Sequence, residues 1–317
     1  MTPRSSAAIP TVRRTPSVSE IFIVRHELAG VSLFRAASDR MSLRSPHLEP
    51  GNVKMHELFY VACALSIIIA SASGPVPTGT VIAGASKVDL EIPVGVPLSG
   101  YNHGTRRVPH WPLKQVTQYT SYMMPSVGQL EPSYARALYI QDAAGSAVCY
   151  LSCDIIGMDG AATAAAVALA RSQGFPLTDD EVVFGASHSH STAGAVTSNK
   201  LWELAPATDL LVPKLLDSFV KHLAMALVQA YLSAVNATVG ISTAEIQNVT
   251  DNRRQHESPY VNASSIDPYL TIIRVDDLQG KSIATLWNFA THGTCEPHAV
   301  SFLCLPNMSS STGLTVF

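Results

Sequence analysis

Apolar and polar positions alternate in short bursts along this chain, and the bursts separate two kinds of element. Ala135 to Ile140 and Ala147 to Cys153 read as two strands of a hairpin around Ala143-Ala144-Gly145. Asp159 to Arg171 is alanine-rich and closes at Gly174 and Pro176, which predicts a helix with Asp159 at its N-cap. Val182, Val183 and Phe184 form a buried strand after the Thr178-Asp179-Asp180 turn. Leu210 to Ala234 is a long amphipathic helix that places His222 on its solvent face. Ala237 to Ile246 is a further strand. Tyr269 to Val275 and Ser282 to Ala290 pair across Asp276 to Gly280 as a second hairpin. Upstream, residues 80–101 read as one or two strands broken by Pro93 and Pro97. Residues 102–129 form a long loop with the basic pair Arg106-Arg107, and its His103 and His110 read as ordinary loop residues. Strand, helix, strand, helix and then several strands predict an α/β fold with mixed β-sheets flanked by helices, in a single main domain.

Two strands run into histidine. Val182 to Phe184 passes through Gly185-Ala186 to His188 and His190, and Trp287 to Ala290 leads to His292. If the strand geometry persists, period-2 alternation points His188 and His190 to the same side. Small residues from Ser191 to Ala195 let backbone or ligand approach closely. Neutral imidazole serves as a metal ligand or as an acid/base group near neutral pH. Metal is the leading use and acid/base work the alternative. Asp154 also falls at a strand terminus, where chemistry collects in α/β sheets.

Composition narrows the classes. The chain has 317 residues, 47% hydrophobic and 14% charged, which is too apolar for a disordered protein. The net charge of -3 divides unevenly. Residues 1–54 hold eight Lys/Arg against four Asp/Glu, leaving 13 against 20 in residues 55–317. That acidic body argues against a nucleic-acid partner.

Residues 1–54 lack sustained periodicity and read as disordered or as a mis-annotated extension of the reading frame. Residues 55–73 have an apolar core from Leu58 to Ala70 and then Ala70-Ser71-Ala72, the form of a secretory signal peptide. A buried core helix, or a transit-type leader in residues 1–54, are the competing readings. The apolar run is shorter than the roughly 20 residues of a membrane span. Sequons at Asn236, Asn248, Asn262 and Asn307 agree with a secreted glycoprotein. Cys63 would leave with the signal; Cys149, Cys153, Cys295 and Cys304 remain as buried thiols or as two disulfides. Cys149 and Cys153 lie roughly 13 Å apart along one strand, too far to bridge each other.

Four segments together resemble the N-terminal catalytic domain of the neutral/alkaline non-lysosomal ceramidases. VDLEIPVGVPLSGY at 88–101 is similar to the family's opening D-I-T-P-P-x-G-x-P-x-x-G-Y. PSYARALYI at 132–140 and YLSCDIIGMD at 150–159 resemble P-L-Y-A-R-A-L-V-L and V-S-L-D-L-I-G. ASHSHS at 186–191 matches T-H-T-H-S, and NFATHGT at 288–294 resembles a later strand ending in histidine. The resemblance covers roughly residues 80–300 and leaves 301–317 as a divergent C-terminal tail.

It implies a zinc-dependent amidohydrolase acting on ceramide or a related N-acyl lipid, with peripheral membrane contact compatible with such a substrate. His188 and His292 would be zinc ligands, His190 an active-site histidine beside them, and Arg253 an active-site arginine. Zinc can polarise a carbonyl or activate an oxygen nucleophile, and an arginine can stabilise a developing oxyanion. The family's serine nucleophile lies in an N-x-G-D/N-x-S-P-N segment that has no counterpart here. A glutamate and a tyrosine that complete its zinc site also come from downstream sequence. The expectation is therefore an incomplete member that binds zinc weakly and has little amidase activity of its own. His190 as a third ligand is expected to strain a shared tetrahedral geometry. The alternatives are a non-catalytic secreted domain of the same fold, and a metal-free histidine hydrolase of a soluble ester or amide.

Overall fold

The computed structural model describes residues 80–101, 106, 117–204, 208–292, 302–303 and 312–317. The proposed leader and signal segment, His103, His110, Cys295, Cys304 and Asn307 lie outside the described residues.

Ten strands, three α-helices and one short 3-10 helix (Asp179–Glu181) are present among the described residues. The strands are β1 (Thr80–Asp89), β2 (Gly128–Gln129), β3 (Tyr134–Gln141), β4 (Ala147–Cys153), β5 (Val182–Ala186), β6 (Val235–Glu245), β7 (Tyr269–Asp277), β8 (Ser282–Asn288), β9 (Phe302–Leu303) and β10 (Thr312–Val316). The helices are α1 (Gly160–Ser172), α2 (Lys200–Leu204) and α3 (Pro213–Leu232). Eight strands form one mixed sheet in the order β10-β8-β7-β6-β1-β3-β4-β5. Every pairing in it is antiparallel except β4 with β5. The expected fold class, both hairpins and the sheet-spanning helices are all present. The C-terminal segment supplies β10, which pairs with β8 at one sheet edge, and β9, which pairs with β2.

Strand alternation decides which residues meet the helices. Cys149, Leu151 and Cys153 of β4 join Ala135, Ala137 and Tyr139 of β3 in one core with α1 and α3. Their neighbours in sequence, such as Leu138, face the other side of the sheet with Ala83, Ala237, Val275 and Leu314. The two cysteines are therefore free, buried thiols of the core. Burial raises both, Cys149 to about 12, so neither is a thiolate near neutral pH.

Helix α3 starts with Pro213 at its first turn, where a missing N–H costs nothing. Leu215, Phe219, Leu223, Leu227 and Ala230 form its buried stripe. Each fully buried leucine contributes about 1.5–3 kcal/mol. The solvent-face placement of His222 does not hold. Its side chain is only 12% exposed, with Nδ1 2.8 Å from the Ser218 carbonyl and Nε2 3.7 Å from Glu91. The 90–93 loop covers that part of the helix, a long-range contact that helical periodicity does not encode.

Helix α1 begins as expected at Asp159. This carboxylate accepts from Ala161 N and Ala162 N, and also from Thr197 Oγ1, Ser198 N and Ser198 Oγ. It therefore caps the helix and ties the segment after β5 to its start. Burial opposes the charge on Asp159, but these donors outweigh it and hold the carboxyl below its usual range. A second buried carboxylate, Asp209, accepts from Ser121 N and Met123 N at 2.9 and 3.0 Å, fastening the 117–126 loop. Asp154 ends β4 in an ion pair with Arg136 at 2.8 Å and accepts from Tyr134 N. It clamps β3 to β4 and takes no part in the histidine cluster.

Gly84 of β1 sits under α3, where a Cβ would fall 2.3 Å from the Ala230 carbonyl oxygen. Gly84→Ala is expected to destabilise by about 1–3 kcal/mol through forced separation of helix and sheet. Gly240→Ala, with open space around its position, is expected to change stability by less than about 0.5 kcal/mol. Urea unfolding of both variants checks the contrast, and equal effects would contradict this packing.

Candidate metal centre

The parallel pairing of β4 and β5 brings two carboxyl ends together. One further ladder bond, from Ser187 N to Cys153 O at 3.0 Å, extends the pairing past β5. The strand conformation then stops. His188 has φ 57, in the left-handed region, an uncommon and strained state for a residue with a Cβ. Alternation does not persist through His190, so it does not explain why the two rings meet. The left-handed turn does: it swings the His188 ring back over the end of β4. There Nδ1 lies 2.7 Å from the Ile156 carbonyl oxygen.

That contact fixes the chemistry of His188. A carbonyl only accepts, so Nδ1 carries the proton and donates, and Nε2 keeps its lone pair. Metal-ligating histidines are typically held this way, with the second ring nitrogen donating to a carbonyl or carboxylate. Nε2 of His188 then lies 3.2 Å from Nε2 of His292 and 3.5 Å from Nε2 of His190. One ligand atom from each of the three histidines lies within 4.8 Å of the others. Two nitrogens bound tetrahedrally at about 2.1 Å from zinc would be separated by roughly 3.4 Å. The spacing and the donor set would fit one metal ion, and His190 lies within reach of the same place.

The third ring is placed by another segment. Residues 191–195 run beside residues 97–99 through Ser99 N to Thr192 O (3.0 Å) and Gly194 N to Pro97 O (2.7 Å). This close backbone approach is the use made of the small residues after His190. It brings Gly100 and Tyr101 against His190: the Tyr101 ring packs edge-on at 4.7 Å. A Cβ on Gly100 would fall 2.4 Å from His190 Nδ1. Arg106 donates from Nη1 to the His190 carbonyl oxygen at 3.0 Å.

Electrostatics keep His190 and His292 unprotonated near neutral pH. Burial, reinforced by His188, His292, Arg106 and Arg253, pushes His190 down to about 4. Burial and the charge of Arg253 also lower His292. Arg253 itself is exposed, and its charge reaches both of these histidines. Its loop is braced by Asn252, which donates from Nδ2 to Ser265 O at 2.8 Å and accepts from Arg254 N.

The sequence therefore named His188, His190 and His292, which the fold brings together, and Arg253, whose charge reaches His190 and His292. It did not reveal the Ile156 carbonyl, or the roles of Gly100, Tyr101 and Arg106. Gly100-Tyr101 closed one of the quoted motifs and Arg106 stood in a visible basic pair, so residues were apparent while their partners were not.

The comparisons agree with this geometry. Residues 115–303 match the family described as neutral/alkaline non-lysosomal ceramidase, N-terminal, and the chain belongs to that family. Neutral ceramidase B of Dictyostelium discoideum is 24% identical over 169 residues, covering 50% of this chain and 23% of that protein. A solved structure described as ceramidase complexed with C2 superposes with a TM-score of 0.53 at 16% identity, covering 71% of this chain and 37% of its own. Neutral ceramidase from Pseudomonas aeruginosa gives the same TM-score and identity, covering 73% and 38%. The chain thus spans under two fifths of the length of each of these relatives.

The lowered histidines make the metal-free protein sensitive to acid. Unfolded, His190 titrates near its ordinary value of about 6.5; folded, it stays neutral down to about 4. Between those values the unfolded chain binds more protons, so stability is greatest above about 6.5 and falls as the pH drops towards 4. Denaturant unfolding of metal-free protein from pH 7 to 4 is expected to show this decline. His190→Gln is expected to flatten it; an unchanged slope in the variant would contradict the assignment.

Proposed function

We propose that this chain carries part of the zinc centre of a neutral-ceramidase-type amidohydrolase, whose substrate is the amide of ceramide or a related N-acyl lipid. The observation that carries the reading is the convergence of three histidine nitrogens, those of His292 and His190 lying 3.2 and 3.5 Å from Nε2 of His188, in a chain of this family. His188 and His292 would hold the ion, with His190 beside them as an active-site histidine. Bound zinc would supply a Lewis acid that polarises the amide carbonyl or lowers the pKa of an oxygen nucleophile. His188 contributes a fixed tautomer, its proton committed to Ile156. His190 and His292 stay neutral and offer lone pairs at neutral pH. Arg253 would bring positive charge to the side where a carbonyl oxygen gains negative charge.

We further propose that catalysis needs groups beyond these four residues, since the resemblance places a serine and two more zinc ligands in sequence this chain does not match. Secretion and glycosylation, suggested by the sequons and the signal-like segment, belong to the same proposal. Zinc titration of the full 317-residue chain against a chelator is expected to show one weakly held ion. His188→Ala is expected to lower that affinity by more than the about 10–100-fold typical of losing a residue that only orients a ligand. A parent chain that holds no zinc near neutral pH would overturn the metal reading. Hydrolysis of a fluorescent ceramide is expected to be slight. Robust turnover abolished in His188→Ala would overturn the proposal that further groups are required.

A further inference from the structure

Among the described residues the sequons at Asn236, Asn248 and Asn262 can be compared, and all three asparagines are exposed. Their surroundings differ. Asn236 lies in β6 opposite Ile82 of β1, and its Thr238 is held in a strand paired on both sides. Asn248 has φ 64, and the hydroxyl of its Thr250 is buried without a hydrogen-bond partner. Asn262 lies in the loop between β6 and β7. Two turns shape that loop, with Val261 N donating to Ser258 O at 3.2 Å and Ser265 N to Asn262 O at 3.0 Å. The Asn262 Oδ1 accepts from Ser264 N at 2.9 Å and from Ser264 Oγ at 2.6 Å. These bonds use the amide oxygen, and the amide nitrogen, which carries the sugar in an N-glycan, makes none among the described residues.

Tyr260 supplies an independent observation. It stands two residues before Asn262 and is 91% exposed, so its ring packs on almost nothing. Its backbone is set by the same turn, with Tyr260 N donating to Ser258 Oγ at 3.3 Å. The residues at the same offset from Asn236, Asn248 and Asn307 are Ala234, Ile246 and Leu305, so only Asn262 has an aromatic neighbour there. A sugar ring presents a face of C–H groups, which covers apolar area on an aromatic face and meets its negative side. The loop is also tied to the one that bears Arg253. Asn252 N donates to Ala263 O at 3.2 Å, and Asn252 Nδ2 donates to Ser265 O at 2.8 Å. Ordering of residues 258–265 is thereby passed to residues 252–254.

We infer that Asn262 is a glycosylation site whose first sugar packs on Tyr260 and steadies the loop that carries Arg253. This rests on the secretion reading above. In the transfer, Nδ2 of Asn262 forms a bond to C1 of the first sugar of a lipid-pyrophosphate-linked oligosaccharide. The C1–O bond to the pyrophosphate breaks, the amide gives up one proton, and the lipid pyrophosphate leaves.

The experiment expresses the full 317-residue chain in a eukaryotic host and releases glycans with a peptide-N-glycosidase in heavy-oxygen water. Mass spectrometry then marks each formerly glycosylated asparagine as heavy-oxygen aspartate. Asn262 is expected to be marked in most molecules, and Ser264→Ala is expected to abolish the mark while leaving Asn262 in place. An unmarked Asn262 beside a marked Asn236 or Asn248 would overturn the inference and leave secretion standing. No mark at any sequon would count against the secretion reading. The chain given a cleavable secretion signal then decides the site, and an Asn262 left bare there would overturn the inference too. The sugar contact is read from thermal unfolding of Tyr260→Ala in the parent and in an Asn262→Gln background. Tyr260→Ala is expected to lower Tm by about 2–4 °C with the glycan present, the shift of one modest contact in a domain of this size, and to leave it unchanged without. Equal shifts in both backgrounds would overturn the packing on Tyr260. Hydrogen exchange of residues 252–254 is expected to quicken in Asn262→Gln, and unchanged exchange would overturn the steadying of the Arg253 loop.

Discussion

Ile156 follows directly on β4, and its carbonyl oxygen holds Nδ1 of His188 at 2.7 Å. The cluster depends on that one backbone acceptor. It is in place because β4 and β5 pair in parallel, with α1 as the crossover between them, so both strands end on the same side of the sheet. Asp159 then fastens the start of α1 to Thr197 and Ser198, which closes the loop bearing His188 and His190 onto the unit that positions it. The strained φ of His188 is tolerated within a segment fixed at both ends, which is where such strain persists in folded proteins.

The polar environment serves the same arrangement. Burial, together with the neighbouring histidines and two nearby arginines, disfavours protonation of His190, and burial with Arg253 does the same for His292. His190 and His292 therefore offer lone pairs near neutral pH, bordered by the positive charge of Arg253. A neutral donor set suits a borderline-soft ion such as zinc, and the bordering charge suits a substrate whose oxygen becomes negative. A cavity of about 90 Å³ lined by Ile156, Met158, Val196, Trp202 and Phe219 adjoins the same backbone segment, although none of the histidines lines it.

Much of the fold was legible because its elements are locally determined. The hairpins follow from alternation and turn residues, α1 from its alanine run and its Asp159 cap, and α3 from a four-residue apolar repeat. The histidines were visible for the same reason, each lying just past a recognisable strand. What escaped depends on contacts distant in sequence. The packing of His222 against the 90–93 loop overrode a helical-face argument. The meeting of His188 and His190 arises from a left-handed residue where continued strand geometry was assumed, and no residue type at position 188 signals that turn. Gly100 and Arg106 act on His190 across 90 and 84 residues, and only the pairing of residues 97–99 with 191–195 reveals them.

Zinc K-edge X-ray absorption on the metal-loaded chain counts its imidazole ligands directly. The account predicts nitrogen scattering near 2.0–2.1 Å with outer-shell scattering from about two imidazoles, reduced by about one in His292→Ala. A first shell with one imidazole or none, or one dominated by sulfur near 2.3 Å, would contradict it.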